Sequence, residues 1–529
     1  AGAGLLALAG GRLANEDLFN LRKLVQGLNG KLNLYSRMGG GELTTQIGLP
    51  AGSNLGSLGK GDAILVAGCD LEEEAPLWWL RVRQAAQRGA TLIVLNARSS
   101  KLDRDATFAL RYPFGSAAAA VLALVNAISK KQPELGGAVQ ELERSPELAA
   151  AAAAFAAAAN AVVFYGSDAQ GLPETTALAQ ACANLLVSTN HVRRPNNGLV
   201  AAWPRNNDQG AWEIGYRPSA NLPADLAAAQ ALYIVAADPV GDDPAFQPVF
   251  GSEKFVVVQD FVLTPTARLA DVVLPAQTFT EREGTYTNGE RRVQRFYPAA
   301  HPKLGAPAQV EAPSVRRSQV LTGIRPPFAD AQPDYTLAAL VAERAGVSGL
   351  EANTASLVFN ALAKETPAFA GLNYRKLAEV EQQFPIIGRS DLYYGGTGYE
   401  NKQGLGAVLA LQGAAPALAW PQVGEFKLPK LGAVAFPITC LYDHGTTLAP
   451  STLLQERICE AFVEIGPADA ARLRVTDGEL VRLVFSETGT SVAVPVKINS
   501  ELPERVVLAP RSYGMPVFGP TAVELKPAG

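Results

Sequence analysis

The chain has 529 residues, too many for one ordinary domain and enough for about three or four. Its 48% hydrophobic and 18% charged residues describe a globular chain with an ample core, and a net charge of −4 gives no electrostatic footprint for nucleic acid or anionic lipid. Direct membrane insertion is not expected either, since the longest apolar run, Ala149–Ala159, is mostly alanine and about half the roughly 20 residues a bilayer needs. No basic region precedes Leu5–Ala9, so a secretory leader is not expected. The start at Ala1 reads as that of a processed or partial polypeptide.

Taken in order, the chain begins with α/β units. Glu16–Val25 has Leu18, Leu21 and Val25 on one helical face. Asp62–Ala67 reads as a buried strand ending at Gly68. Ala75–Arg88 follows as a helix with Pro76 in its first turn and Gly89 as its stop, and Thr91–Leu95 is the next strand. Strand, helix, strand implies a parallel sheet with right-handed crossovers. From Gly115 the sequence turns alanine-rich, and Ala117–Ser129 and Pro146–Asn160 are expected helices because alanine has the highest helix propensity. Ala161–Tyr165 is a strand and Thr175–Asn184 a helix. Arg193–Tyr216 reads as irregular and too polar for core. Leu232–Ala236 returns to the sheet.

Phe255–Ala300 is the stretch around which the rest is organised. Phe255–Gln259 is a β-branched run suited to a strand buried on both faces. Thr264 and Pro265 form an expected helix cap and first helical residue. Asp271–Leu274 is a second strand closed by Pro275, and a polar loop from Glu281 to Arg292 follows. Ligands of open α/β sheets bind beyond the carboxyl ends of strands, so this loop is either a binding loop or a salt-bridged turn. Glu281, Glu283 and Glu290 lie among Arg268, Arg282, Arg291, Arg292 and Arg295, which favours ion pairing over acid/base catalysis. Beyond it come a proline-rich connection through Pro327, a helix at Thr336–Ala345, and mixed signals over Gly346–Pro437 that include the Gly395–Gly398 turn. Val463–Ile465, a short helix Pro467–Leu473, and strands Leu480–Phe485, Ser491–Ile498 and Val506–Ala509 make a small C-terminal β domain.

Catalytic motifs are sparse. Gly2-Ala3-Gly4-Leu5-Leu6-Ala7 has dinucleotide-loop spacing but no strand before it, and Gly52–Gly61 lacks both the first glycine (Asn54 instead) and the Ser/Thr after Lys60 of a phosphate loop. There is no G-x-S-x-G and no H-E-x-x-H. Cys69, Cys182, Cys440 and Cys459 form no C-x-x-C pair, and Cys440, His444 and Cys459 fit no common metal spacing. No metal site is expected. Sparse, unpaired cysteines fit a reducing compartment.

Ala270-Asp271-Val272-Val273-Leu274-Pro275, followed by Glu281-x-x-Gly284-Thr285-x-x-Asn288-x-Glu290-Arg291-Arg292-Val293-Gln294, resembles the signature of the molybdopterin oxidoreductase superfamily. Within it the chain is most similar to the large iron–sulfur subunit of NADH:quinone oxidoreductase, respiratory complex I. Arg194–Leu199 and Asn207–Ala211 share that resemblance, and the C-terminal segment resembles the superfamily's double-psi barrel. The resemblance implies an α/β, molybdopterin-oxidoreductase-like fold. It comprises Rossmann-like parallel sheets, an inserted α/β domain and a C-terminal double-psi β-barrel. The expected divisions are 1–114 and 226–345 for the two parts of the first domain, 115–225 for the insertion, 346–437 for a linker and 438–529 for the barrel.

Catalytic members of the superfamily hold molybdenum or tungsten through pterin dithiolenes, usually with a Cys, selenocysteine or Ser ligand. The acidic run Asp70–Glu74 makes Cys69 a poor thiolate, and no such ligand is identifiable. The resemblance therefore implies a non-catalytic part of the complex I large iron–sulfur subunit, with no cofactor and no catalytic residue of its own. Its 2Fe-2S and 4Fe-4S clusters would lie on an upstream region. It would sit among the peripheral-arm subunits on the cytoplasmic side of the membrane, supporting electron transfer from NADH to quinone. The alternative is the large subunit of a molybdenum or tungsten pterin oxidoreductase such as formate dehydrogenase, with Gly284, Thr285, Asn288 and Arg291 near the pterin. A soluble nucleotide-binding module is a third reading.

Overall fold

The computed structural model describes residues 4–129, 135, 137–251, 253–299, 331–379, 382–384, 398–400, 406–421 and 432–528. The chain divides into two compact units. The first comprises Ala1–Ser36, Arg205–Gly241 and Ala245–Gln412; the second comprises Arg37–Pro204, Asp242–Pro244 and Gly413–Gly529. In chain order the sheet strands are β1 Leu5–Gly10, β2 Lys31–Tyr35, β3 Ala63–Ala67, β4 Thr91–Asn96, β5 Phe108–Arg111, β6 Ala161–Tyr165 and β7 Gly198–Ala201. They continue with β8 Ala231–Val235, β9 Phe255–Asp260 and β10 Val272–Pro275, then the hairpin β11 Gly284–Thr287 and β12 Arg292–Phe296.

In the first unit five parallel strands lie in the order β10-β9-β8-β1-β2. Strand β1, which pairs on both edges, was not expected from the sequence. Its run, Leu-Leu-Ala-Leu-Ala-Gly, has no β-branched residue, and pairing on both edges overrides the helical propensity of alanine and leucine. The helix after it, Asn15–Gly27, buries Leu18, Leu21, Leu24 and Val25. The segment expected to be a loop from Glu281 to Arg292 is instead largely the antiparallel hairpin β11–β12. Thr285, Tyr286 and Thr287 favour a strand, and Asn288 Oδ1 accepts from the amides of Glu290 and Arg292 to close the turn. Thr264 does cap, its hydroxyl accepting from the Ala267 amide, but only a short 3-10 turn, Ala267–Leu269, follows. The region expected to be a linker contributes to this unit: helix Ala355–Glu365 buries Val358, Phe359 and Leu362, and Glu365 pairs with Lys23 at 2.8 Å. The proline-rich connection over 300–330 and the turn residues Gly395–Thr397 lie outside the described residues.

The second unit holds a second parallel sheet, ordered β5-β4-β3-β6-β7. The expected division at 114/115 falls inside it, because β3–β5 share a sheet with β6 and β7. The polar stretch Arg193–Tyr216, expected to be irregular, contains β7 and, in the first unit, helix Asp208–Ile214. Helix Ala117–Ser129 forms as expected, and Ala120–Val125 are buried. The C-terminal part is a closed six-stranded barrel of Ala433–Ile438, Val506–Pro510, Val463–Ile465, Ser491–Ile498, Leu480–Phe485 and Thr521–Pro527. Alternate residues such as Val481, Leu483 and Phe485 fill its interior, as closure requires. The barrel thus starts before the expected residue 438.

Candidate functional site

Each parallel sheet has a point where the strand order reverses, and such points are where open α/β sheets bind ligands. In the first unit it lies between β1 and β8. Gly10 ends β1, and a Cβ there would stand 1.9 Å from the Ala236 carbonyl oxygen at the end of β8. Ala236 itself is held at φ +53°, a left-handed conformation that costs a non-glycine residue energy. A Cβ on Gly11 would lie 1.8 Å from Asp208 Oδ1. Burial pushes the Asp208 carboxyl up to about 7. At the same end Arg12 pairs with Asp260 at 2.8 Å and lies over the Phe261 ring. The close approach at Gly10 gives an expected result: Gly10→Ala lowers the stability of this unit by about 1–3 kcal/mol, read as a shift in thermal unfolding. A substitution without effect there would remove the close approach as a requirement.

The residues singled out from the sequence lie beside this end of the sheet but face inward. Thr285 donates its amide to Glu16 Oε2 and exchanges side-chain bonds with Asn15 and Glu16. Gly284 leaves room for Ala14 and Glu16, whose nearest atoms would be 3.0 and 3.1 Å from a Cβ. Asn288 shapes the hairpin turn. Arg291 is wholly buried, bound to both oxygens of Glu213 and to the carbonyls of Leu409 and Ala410. The remaining acid–base pairs follow in part: Arg292 meets Glu290 and Arg295 meets Glu283, whereas Arg282 joins Asp17 and Asp334. These four candidates therefore build a rigid polar wall.

In the second unit the reversal lies between β3 and β6. Three loops and one barrel strand end converge there. Gly68-Cys69-Asp70 follows β3, Ala97-Arg98 follows β4 and Gly166-Ser167-Asp168 follows β6. Arg98 holds Asp168 through two nitrogens and Asp70 at 2.9 Å. Glu74 Oε1 accepts from the amide and hydroxyl of Ser167 at 3.0 and 2.9 Å. Arg511, from the barrel, donates to the hydroxyl and carbonyl of Ser167, the carbonyl of Gln170 and the Thr439 hydroxyl. Burial raises the Glu74 carboxyl to about 7 and Asp70 to about 6, and lowers Arg511 to about 10. Burial, with Glu74 next to it, also holds the Cys69 thiol well above its usual range, in line with the poor thiolate setting read from the sequence.

Three buried polar atoms here lack a partner among the described residues: Glu74 Oε2 and Gln170 Oε1, both acceptors, and Arg511 Nε, a donor. Arg511 has no carboxylate within ion-pair distance among the described residues. An unfilled donor on a cation, which also bonds the backbone of the residue that carries the unfilled amide acceptor, suits a phosphate bearing a hydrogen-bonding nucleotide. These residues were not legible beforehand. Gln170 and Arg511 are 341 positions apart, and no local pattern links them. Gly10 and Gly11 did carry a signal: an apolar run ending in paired glycines ahead of a helix.

Residues 3–308 match the family model described as molybdopterin oxidoreductase, and residues 441–525 match the molydopterin dinucleotide binding domain. The chain is 24% identical to F420-dependent formate dehydrogenase 1 subunit alpha of Methanococcus maripaludis, over 94% of this chain and 80% of that protein. It is 25% identical to the corresponding F420-dependent alpha subunit of Methanocaldococcus jannaschii, over 85% and 71%. It is 26% identical to an NADH-quinone oxidoreductase subunit of Rhizobium meliloti, over 86% of this chain and 53% of that one. Among solved structures, acetylene hydratase from Pelobacter acetylenicus superposes with a TM-score of 0.66 at 14% identity, covering 96% of this chain and 79% of that one. That likeness shows the fold.

The two family matches overturn one expectation, that the chain carries no cofactor of its own: they indicate a molybdopterin cofactor here. The reason it was missed is physical. The expectation rested on the absence of a metal-binding thiolate. A dinucleotide cofactor can instead be held through its phosphates and base, by residues such as Arg511 and Gln170 that no short motif announces.

Proposed function

This chain belongs to the molybdopterin oxidoreductase family, and we propose that it is the cofactor-binding large subunit of an oxidoreductase of the formate dehydrogenase type. The observation that carries this reading is the unfilled Arg511–Gln170 pair at the β3/β6 reversal, which joins the two matched regions within one unit. The formate dehydrogenase alpha subunits support the substrate, because the alignment spans most of each chain. When bound, the cofactor supplies a pterin-held molybdenum or tungsten centre for two-electron oxidation. This chain's residues would do the holding. Arg511 and Thr439 would meet phosphate, Gln170 would accept from the nucleotide, and the Asp70–Arg98–Asp168 cage would fix the loops that carry them. At the other reversal, the side-chain-free Gly10 and the left-handed Ala236 keep the β1 and β8 ends closely packed.

A second reading, a non-catalytic part of the large iron–sulfur subunit of an NADH:quinone oxidoreductase, is favoured by the Rhizobium relative. It would set the chain among the peripheral-arm subunits on the cytoplasmic face of the membrane. The test is the purified protein's metal content by elemental mass spectrometry, its pterin content by fluorescence after oxidation, and formate-dependent reduction of an artificial dye. Stoichiometric pterin and metal with dye reduction is the expected result. Pterin without formate oxidation would move the assignment to another substrate. Loss of both would overturn it in favour of the second reading.

A further inference from the structure

We propose that an anion seated on Arg511 is bound together with a proton taken up by Glu74, so that the β3/β6 site binds phosphate diesters more weakly as pH rises through neutrality. The inference rests on the cofactor reading above for the identity of the anion, and on geometry for the coupling. Glu74 and Arg511 do not touch; both are bonded to Ser167. The carboxylate accepts from the Ser167 amide and hydroxyl, while the guanidinium donates to the same hydroxyl at 3.3 Å and to the carbonyl at 2.7 Å. One residue therefore holds a buried acid and a buried cation a single side chain apart. The cation has an unfilled Nε and donates to the backbone carbonyl of Gln170, whose Oε1 is also unfilled, and Gln170 is only 2% exposed.

The charges around Glu74 explain which group responds. From the β3 side it faces Cys69, while Asp70, on its own turn, acts with it on that thiol and Glu73 acts on Asp70. From the β6 side it faces Asp168, and Tyr112 lies within its field. Arg98 is committed to Asp70 and Asp168. Arg511 is the cation whose field acts on Glu74, while Arg37 repels Arg511. Burial already raises Glu74 to about 7. An anion on Arg511 cancels the field that favours the ionised carboxylate, so the carboxylate then takes a proton from solvent. No bond other than O–H forms, and the proton comes from water or buffer.

The experiment uses the full chain produced in cells that cannot make the pterin, titrated calorimetrically with the symmetrical dimethyl diester of diphosphate, a dianion that does not titrate near neutrality. Repeating the titration in buffers of different ionisation enthalpy reads the protons taken up. The expected result is uptake approaching one proton per anion above neutrality, with affinity falling by up to about tenfold per pH unit. Glu74→Gln should bind with pH-independent affinity and no uptake, and Arg511→Gln should lose most binding. Binding without proton uptake, or an unchanged pH profile in Glu74→Gln, would overturn the proposal. Tight binding that survives Arg511→Gln would overturn it too. The cofactor reading fails separately, if protein from pterin-competent cells contains no pterin.

Discussion

Arg291→Ala is expected to destabilise the first unit by about 3–5 kcal/mol, the usual cost of leaving one partner of a buried ion pair behind. Arg291 and Glu213 have no exposed side-chain surface. The pair is bidentate, with Nε to Oε1 at 2.5 Å and Nη2 to Oε2 at 3.1 Å. The guanidinium also satisfies two carbonyls, Leu409 and Ala410, and Glu213 further accepts from Gln209 and Gln412. Removing the cation strands a buried carboxylate charge and the buried Leu409 carbonyl. Arg291→Lys should recover only part, because a point charge cannot fill the planar fork.

The informative control is the double replacement Arg291→Met with Glu213→Leu. Removing both charges avoids the uncompensated burial, so the double variant should be more stable than Arg291→Ala. Chemical denaturation followed by fluorescence of the Trp212 region reads the transition of this unit. A loss below about 1 kcal/mol for Arg291→Ala would mean that water reaches Glu213 and the pair is not structural.

How much of this was legible in the sequence follows from how local each signal is. The β-branched runs at Ala161–Tyr165 and Phe255–Asp260, and the alternating runs Leu480–Phe485 and Ser491–Ile498, announce strands because one residue in two, or every residue, must be buried. β1 carries no such mark; it is a strand because β2 and β8 flank it. Thr285 and Arg291 stood out as a motif, yet their partners Glu16 and Glu213 lie 269 and 78 positions away, and only the fold shows that they face a polar interior. The phosphate-suited pair, Gln170 and Arg511, was invisible for the same reason. Neither residue type is unusual, and their meaning comes from burial without a partner. The expectation of a cofactor-free chain failed at this point, since it looked for a ligand type and the structure offers a charge arrangement.

Stability of the protein is expected to fall as pH rises from about 5 to about 8, and Glu16→Gln should flatten that fall. Glu16 is fully buried; its oxygens take the Thr285 amide at 2.9 Å and the Tyr374 hydroxyl at 2.8 Å. Burial, the largest cause, outweighs those bonds and raises the carboxyl from 4.5 to about 8. Burial raises Asp208 and Glu74 as well, each to about 7, and Asp334 moves the same way. Below the unfolded value both states hold the proton, and the full contribution is present. Between that value and the folded one, only the native chain is protonated, so each such group costs about 1.4 kcal/mol per pH unit as pH rises. Above about 8 the native Glu16 ionises too and its contribution levels off. Two groups have the opposite sign: Asp225, held low by the hydrogen bond from Lys31, acts only below about pH 4, outside this window, and His191, held low by burial, offsets part of the fall at and below its ordinary value near 6.5. A neutral glutamine accepts from the Thr285 amide through its one oxygen and turns its NH2 to donate to the Tyr374 hydroxyl oxygen, without a charge to bury. Thermal unfolding across the range should therefore show the variant close to the natural protein near pH 5 and more stable than it near pH 8. A variant with the unaltered slope would mean that Glu16 is ionised in the folded chain, and that its bonds to Thr285 and Tyr374 outweigh its burial.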